Sequence, residues 1–157
     1  MGLFSLGEVF QIAMQAEESG RLLYVSVAKD ASDPKVVDLC KKLAAQEGMH
    51  YEKFKAMKEA QPERNSRRLS LEEMEFVDGL VQGRVTPLES EARRVAKENS
   101  LSKVLDLAIQ AELDSAALYE QILPAVDAAE VSAIREIIEE EKRHYRILTE
   151  YRKEMKD

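Results

Sequence analysis

Four stretches of this chain carry an apolar seam at alternating steps of four and three, the spacing that aligns side chains along one face of an α-helix. Every seam is broken by acid. The first runs Leu6, Phe10, Ala13, Glu17, Gly20, Tyr24, Val27, and the second Val36, Cys40, Leu43, Glu47, His50, Phe54, Met57. The third runs Leu101, Leu105, Ala108, Glu112, Ser115, Tyr119, Ile122, and the fourth Ile134, Ile137, Glu141, His144, Leu148, Tyr151. A helical bundle buries such seams, so four carboxylates and both histidines of the chain point where a core belongs. Something must compensate them there.

Local signals set the ends of these helices and predict an all-α four-helix bundle. "SLGE" at 5–8 spells a capping box, and the first helix is expected to run from there to about Ala31. Asp33 is a good N-cap with Pro34 in the first turn behind it, and the second helix should stop before Pro62. "SLEE" at 70–73 is expected to open a short helix ending near Gly83, and "TPLE" at 86–89 could open another. The third helix begins around Ser100 and ends between Pro124 and Asp127, and the fourth fills most of the remainder. Short links make each pair an antiparallel hairpin. The chain therefore reads as a single domain: a hairpin over 5–61, a long crossover over 62–99 and a second hairpin over 100–156.

The hairpins repeat one another. "AMQAEESGRLLY" at 13–24 aligns without gaps to "AIQAELDSAALY" at 108–119, and "EGMHY" at 47–51 is answered by "EKRHY" at 141–145. An approximate twofold axis should relate the halves. Residues equidistant from a hairpin turn lie at one level, and the midpoint of Glu17 and Glu47 falls inside the turn "DASDP". That of Glu112 and Glu141 falls beside Asp127. At the rise of an α-helix the acids lie about 22 Å from their turns, in the middle of the bundle.

Four carboxylates at one buried level repel one another and cost roughly several kcal/mol each in desolvation. Two divalent cations cancel four negative charges with the histidines neutral. Hard oxygen donors with one imidazole per metal suit iron or manganese, with zinc a substitute. A Glu from each of two helices plus Glu-x-x-His from each of the others is the donor set of dinuclear carboxylate bundles. The expected metal ligands are Glu17, Glu47, His50, Glu112, Glu141 and His144.

Composition narrows the alternatives. A net charge of -7 and a pI near 5.1 disfavour nucleic acid and acidic membranes as partners. The basic run "RNSRR" at 64–68 reads as a solvated loop. One cysteine offers neither a disulfide framework nor a thiolate metal site, and the expected compartment is a reducing cytoplasm. "MGLFSLGEVF" is a poor signal peptide, Leu6 departs from the myristoylation pattern, and no stretch of about 18 residues is apolar enough to span a membrane. Tyr24 and Tyr119 each lie seven after a ligand Glu, placed either to line a route to the metals as catalytic groups or to pack. Cys40 reads as a small core residue. Glu18, Glu139 and Glu140 point off the seams toward solvent, although Glu140 or Gln46 could orient a ligand histidine through its second nitrogen.

Taken together, "AMQAEESGRLLY", "EGMH", "AIQAELDSAALY" and "EKRH" make the chain similar to the rubrerythrin branch of the ferritin-like superfamily. The resemblance implies a ferritin-like bundle holding two irons, with Glu17 and Glu112 terminal, Glu47 and Glu141 bridging, and His50 and His144 one on each metal. It also implies a homodimer that reduces hydrogen peroxide or dioxygen with electrons from an external donor such as a rubredoxin-like protein. Two departures stand out: Ser115 replaces a further acid of typical members, and the four cysteines of a rubredoxin domain are missing. A bacterioferritin-type haem is not expected, because Gly48 stands where its methionine would be and Met49 is one place further on. The alternative to peroxide or dioxygen reduction is iron oxidation for storage or handling. A structural metal bundle without turnover is a third possibility.

Overall fold

In the computed structural model, the described residues are 6–60, 90–125 and 131–155, with isolated positions 71, 72, 75, 79 and 128. Among them, four long helices dominate: α1 (Leu6–Asp30), α2 (Pro34–Ala60), α3 (Leu101–Ile122) and α4 (Val131–Glu154). A 3-10 turn, Leu123–Ala125, extends α3 until Pro124 ends the regular run. Residues 90–98 are helical, as are positions 71, 72, 75 and 79. The start signals "SLEE" and "TPLE", the stop near Gly83, the basic run at 64–68 and Ser5 of the first capping box otherwise lie outside the described residues.

Caps form where the sequence places them. Asp33 Oδ1 accepts from Lys35 N at 2.9 Å at the start of α2, and Ser100 Oγ accepts from Lys103 N at 3.3 Å at the start of α3. Each satisfies an amide that has no partner within its helix.

α1 packs along α2 and α3 along α4, as two antiparallel hairpins. Their turns lie at opposite ends of the bundle. One apolar cluster gathers the start of α1 (Phe10, Ile12), the end of α2 (Phe54), the end of α3 (Leu118, Tyr119) and the start of α4 (Ile134, Ile137). The other gathers the end of α1 (Tyr24, Val27), the start of α2 (Val36, Cys40), Val95 and Ala96 of 90–98, the start of α3 (Val104, Leu105) and Leu148 of α4. α2 and α3 therefore run the same way, which is why a connection of bundle length has to separate them. The repeat axis lies across the bundle, consistent with α1 and α3 running in opposite directions.

The far end of that connection is pinned to the first hairpin turn by Asn99, a contact with no obvious sequence signature. Its Oδ1 accepts from the amides of Ser32 (2.9 Å) and Asp33 (2.8 Å), while Nδ2 donates to Ser32 Oγ (2.9 Å). Asn99 has φ 50°, a left-handed geometry that ends 90–98 and that asparagine tolerates better than most residues. The seam of α4 ends one turn earlier than its spacing suggests. Leu148 is buried whereas Tyr151 is half exposed, because the last turn of α4 projects past the core.

Replacing Asn99 with Ala should remove three hydrogen bonds and strain the backbone, lowering stability in urea by about 1–3 kcal/mol. Asn99→Gly should lose less, since it relieves the strain and sacrifices only the bonds.

Candidate metal centre

Between the two apolar clusters lies a polar layer. Glu17, Glu47, His50, Glu112, Ser115, Glu141 and His144 are all buried, and Glu17 and Glu141 are only 1% exposed. The level follows from the helix lengths: counted from opposite ends of bundle-length helices, each acid is about 22 Å from its own turn and so meets the others at the middle. The six residues expected from the seams are brought to one layer.

On one side Glu17, His50 and Glu141 each offer a donor atom, all within 4.8 Å of one another. His50 Nδ1 stands 3.7 Å from Glu17 Oε2 and 4.0 Å from Glu141 Oε1. Both Glu17 oxygens and His50 Nδ1 are buried without a hydrogen-bond partner. Burial above all, then the charges of Glu141 and Glu47 and the hydrogen bonds that a protonated Glu17 can make to them, pushes the Glu17 carboxyl well above the usual 4.5. Such atoms need either a proton or a cation. A triangle of this size, built from two hard carboxylates and an imidazole, fits a divalent metal ion.

On the other side His144 Nδ1 lies 2.7 Å from Glu112 Oε1, and Nε2 lies 2.6 Å from Gln46 Oε1. Burial and the neighbouring His50 lower the His144 pKa to about 4, so at pH 7 the ring is neutral and holds one proton. If that proton sits on Nε2 and is donated to the Gln46 carbonyl, Nδ1 presents a lone pair to the Glu112 carboxylate. Two acceptors in contact require a shared proton or a cation between them. The two imidazoles meet edge to face, with centroids 4.8 Å apart.

Several neighbours shape this layer. A Cβ on Gly20 would stand 3.0 Å from Glu47 Cδ and 3.1 Å from its Oε2, so the missing side chain is what leaves Glu47 its room. The sequence held a hint: Gly20 occupies a seam position where every helical propensity argues for something larger. Ser115, its counterpart in the repeat, donates its hydroxyl to Ala111 O at 2.9 Å. Tyr24 and Tyr119 are buried in the apolar clusters on either side of the layer. Cys40 is fully buried in the second cluster, and burial pushes its thiol up to about 11.

Glu140 leaves the solvated face expected of it and, like Gln46, stands at the second nitrogen of a histidine, the other place the sequence offered it. Its side chain is 12% exposed, with Oε1 3.7 Å from His50 Nε2 and Lys53 Nζ 3.0 Å from Oε2. Arg143 donates to Oε1 at 2.6 Å, and this bond with Lys53's holds the Glu140 pKa down at about 2. Packing of α4 against α2 turns what looks like an outer face in the sequence into the floor of a groove. Glu18 and Glu139 remain on the outside. Among the described residues, no helix is long and apolar enough to cross a membrane.

The Glu17 carboxyl titrates above its unfolded value, so its contribution to stability is full below pH 4.5 and is lost as pH rises through the raised value. His144 acts oppositely, losing its contribution as pH falls from 6.5 toward about 4. At pH 7, metal-free Glu17→Gln should therefore melt above metal-free wild type, by about 2–4 °C for each kcal/mol recovered. The same variant should bind metal more weakly, and calorimetry with and without divalent ion checks both signs.

A family model described as Rubrerythrin matches residues 8–152. No match was found among the curated proteins or among the solved structures. With the bundle, the opposed hairpins and the carboxylate–histidine layer in place, a match over nearly its whole length means that the chain belongs to the rubrerythrin family, one of ferritin-like di-iron domains.

Proposed function

We propose that this chain binds two iron ions through Glu17, Glu47, His50, Glu112, Glu141 and His144, and reduces hydrogen peroxide or dioxygen with electrons from a separate donor. The observation that carries this reading is the buried Glu17 carboxyl group, which is offered no N–H donor and meets the acids Glu47 and Glu141 instead, beside the buried His50 Nδ1. A purely structural core has no use for that arrangement.

When bound, a pair of irons supplies the two electrons that cleavage of an O–O bond requires. The chain's part is to hold and shield the site. Glu17 with His50 would hold one ion and Glu112 with His144 the other, with Glu47 and Glu141 available to both. The missing side chain at Gly20 gives the Glu47 carboxyl group its place in the layer. Apolar clusters above and below exclude bulk water, which strengthens every electrostatic interaction between them. Tyr24 and Tyr119, one in each cluster, are the groups we assign to proton or hydrogen-bond contact with a bound oxidant. His50 and His144 keep their Nδ1 atoms toward the carboxylates because Nε2 of each faces Glu140 or Gln46.

In this reading the protein is a cytoplasmic homodimer served by a donor such as a rubredoxin-like protein. Manganese or zinc can take the place of iron, zinc with no redox chemistry, and haem has no part. Iron storage is the competing function, and it requires a large symmetric shell that a sizing column separates from a dimer.

Anaerobic reconstitution should load two Fe(II) per chain, and stopped-flow mixing should show faster oxidation by peroxide than by O₂. Preference for O₂ with growth of a mineral would point to storage instead. Glu47→Ala should lose dinuclear loading, and two tightly bound, normally oxidised equivalents in that variant would overturn the ligand assignment.

A further inference from the structure

The two histidines are surrounded unequally. Each turns Nδ1 toward the carboxylates and Nε2 toward the opposite hairpin, where it meets the residue directly preceding that hairpin's ExxH glutamate. The internal repeat makes those two residues counterparts, yet one is Gln46 and the other Glu140. His144 Nε2 is hydrogen-bonded to the neutral amide oxygen at 2.6 Å, whereas His50 Nε2 stands at ion-pair distance from the carboxylate, 3.7 Å, one small ring movement short of a hydrogen bond.

A histidine that binds metal through one nitrogen donates its other N–H, and the acceptor of that bond tunes the ring. A carboxylate draws the proton more strongly than an amide and makes the imidazole a stronger donor. Lys53 and Arg143 hold Glu140 in place, but their own side chains are 51% and 57% exposed. Those cations approach Glu140 from the solvent side, while its Oε1 also lies 3.7 Å from a buried ring. Geometry points the same way. Among the described residues, Glu17, His50 and Glu141 already hold three donor atoms together, while on the other side His144 Nδ1 is closed against Glu112.

We propose that Glu140 and Gln46 grade the two metal positions, making the one served by His50 the tighter and the first to fill. The proposal rests on the dinuclear reading above. Neither residue touches metal in this scheme; both are positioning residues that act through a histidine.

Titration of the metal-free full chain with Co(II), followed by calorimetry and by the ion's visible absorption, separates the possibilities. Wild type should take up two ions in two resolved steps. His50→Ala should remove the tighter step and His144→Ala the weaker. Glu140→Gln should weaken the first step about 10-fold and draw the two together, and Gln46→Glu should strengthen the second by a similar factor. Glu140→Asp, which keeps the charge, should retain more of the first step than Glu140→Gln, an order that mere loss of packing would not produce. Circular dichroism of each metal-free variant confirms the fold. Two ions bound with both constants unchanged in Glu140→Gln and Gln46→Glu would overturn the grading alone, as would loss of the weaker step in His50→Ala. A wild type that binds fewer than two ions would overturn the dinuclear reading and the grading with it.

Discussion

Everything in this bundle is arranged around the cost of keeping four carboxylates in one buried layer. Isolated, each would lose several kcal/mol of hydration, and together they repel. The raised titration of Glu17 and the depressed titration of His144 are the two ways a protein without metal answers that cost, by holding a proton on the acid and keeping one off the base. The layer survives because it is not what holds the helices together. Two apolar clusters, one on each side, clamp the helices by their ends and impose the distances between donors in the middle. A fully buried Phe or Ile in such a cluster contributes about 1.5–3 kcal/mol, so Phe10, Phe54, Ile134 and Ile137 alone can offset much of the strain in the centre.

The same arrangement explains the topology. Placing the hairpin turns at opposite ends puts acids counted from either turn at one level, and it makes α2 and α3 run parallel. A parallel neighbour cannot be reached by a tight turn. The chain must travel the length of the bundle, and Asn99 fastens the end of that journey to the first turn, immediately before Ser100 starts α3. Register in the second hairpin is thereby tied to the geometry of the first, at the end of the bundle farthest from where the connection departs.

Much of this was legible before any coordinates, for a definite reason. The period of the seams is a direct consequence of helical geometry, so Glu17, Glu47, Glu112 and Glu141 stood out as polar residues where the pattern demands apolar ones, and the repeat showed that they stood out twice. What escaped was whatever depends on the distance between helices rather than on position along one. Glu140 looks outward on its own helical wheel, and only its contacts with His50 and Lys53 of α2 decide between solvent and a place beside a histidine. Gly20 looks like a weakness in α1 until Glu47 is found against it. Asn99 precedes a capping serine and resembles any loop residue, because its partners are 66 and 67 positions away. Tyr151 continues the α4 spacing but has no neighbouring helix left to cover it.

The repeat also shows where the two halves have been allowed to differ. The donors themselves are matched, Glu17 with Glu112, Glu47 with Glu141 and His50 with His144. The differences sit beside them, next in sequence or one helical turn away: Gln46 against Glu140, Gly20 against Ser115, Phe54 against Leu148. Changing a donor would leave the layer with uncompensated charge, whereas changing a neighbour alters only how a donor is held. If the layer holds two ions as proposed, the freedom to make their positions unequal lies in the residues that hold the ligands, where Glu140 carries a charge that Lys53 and Arg143 meet outside the layer and Gln46 carries none.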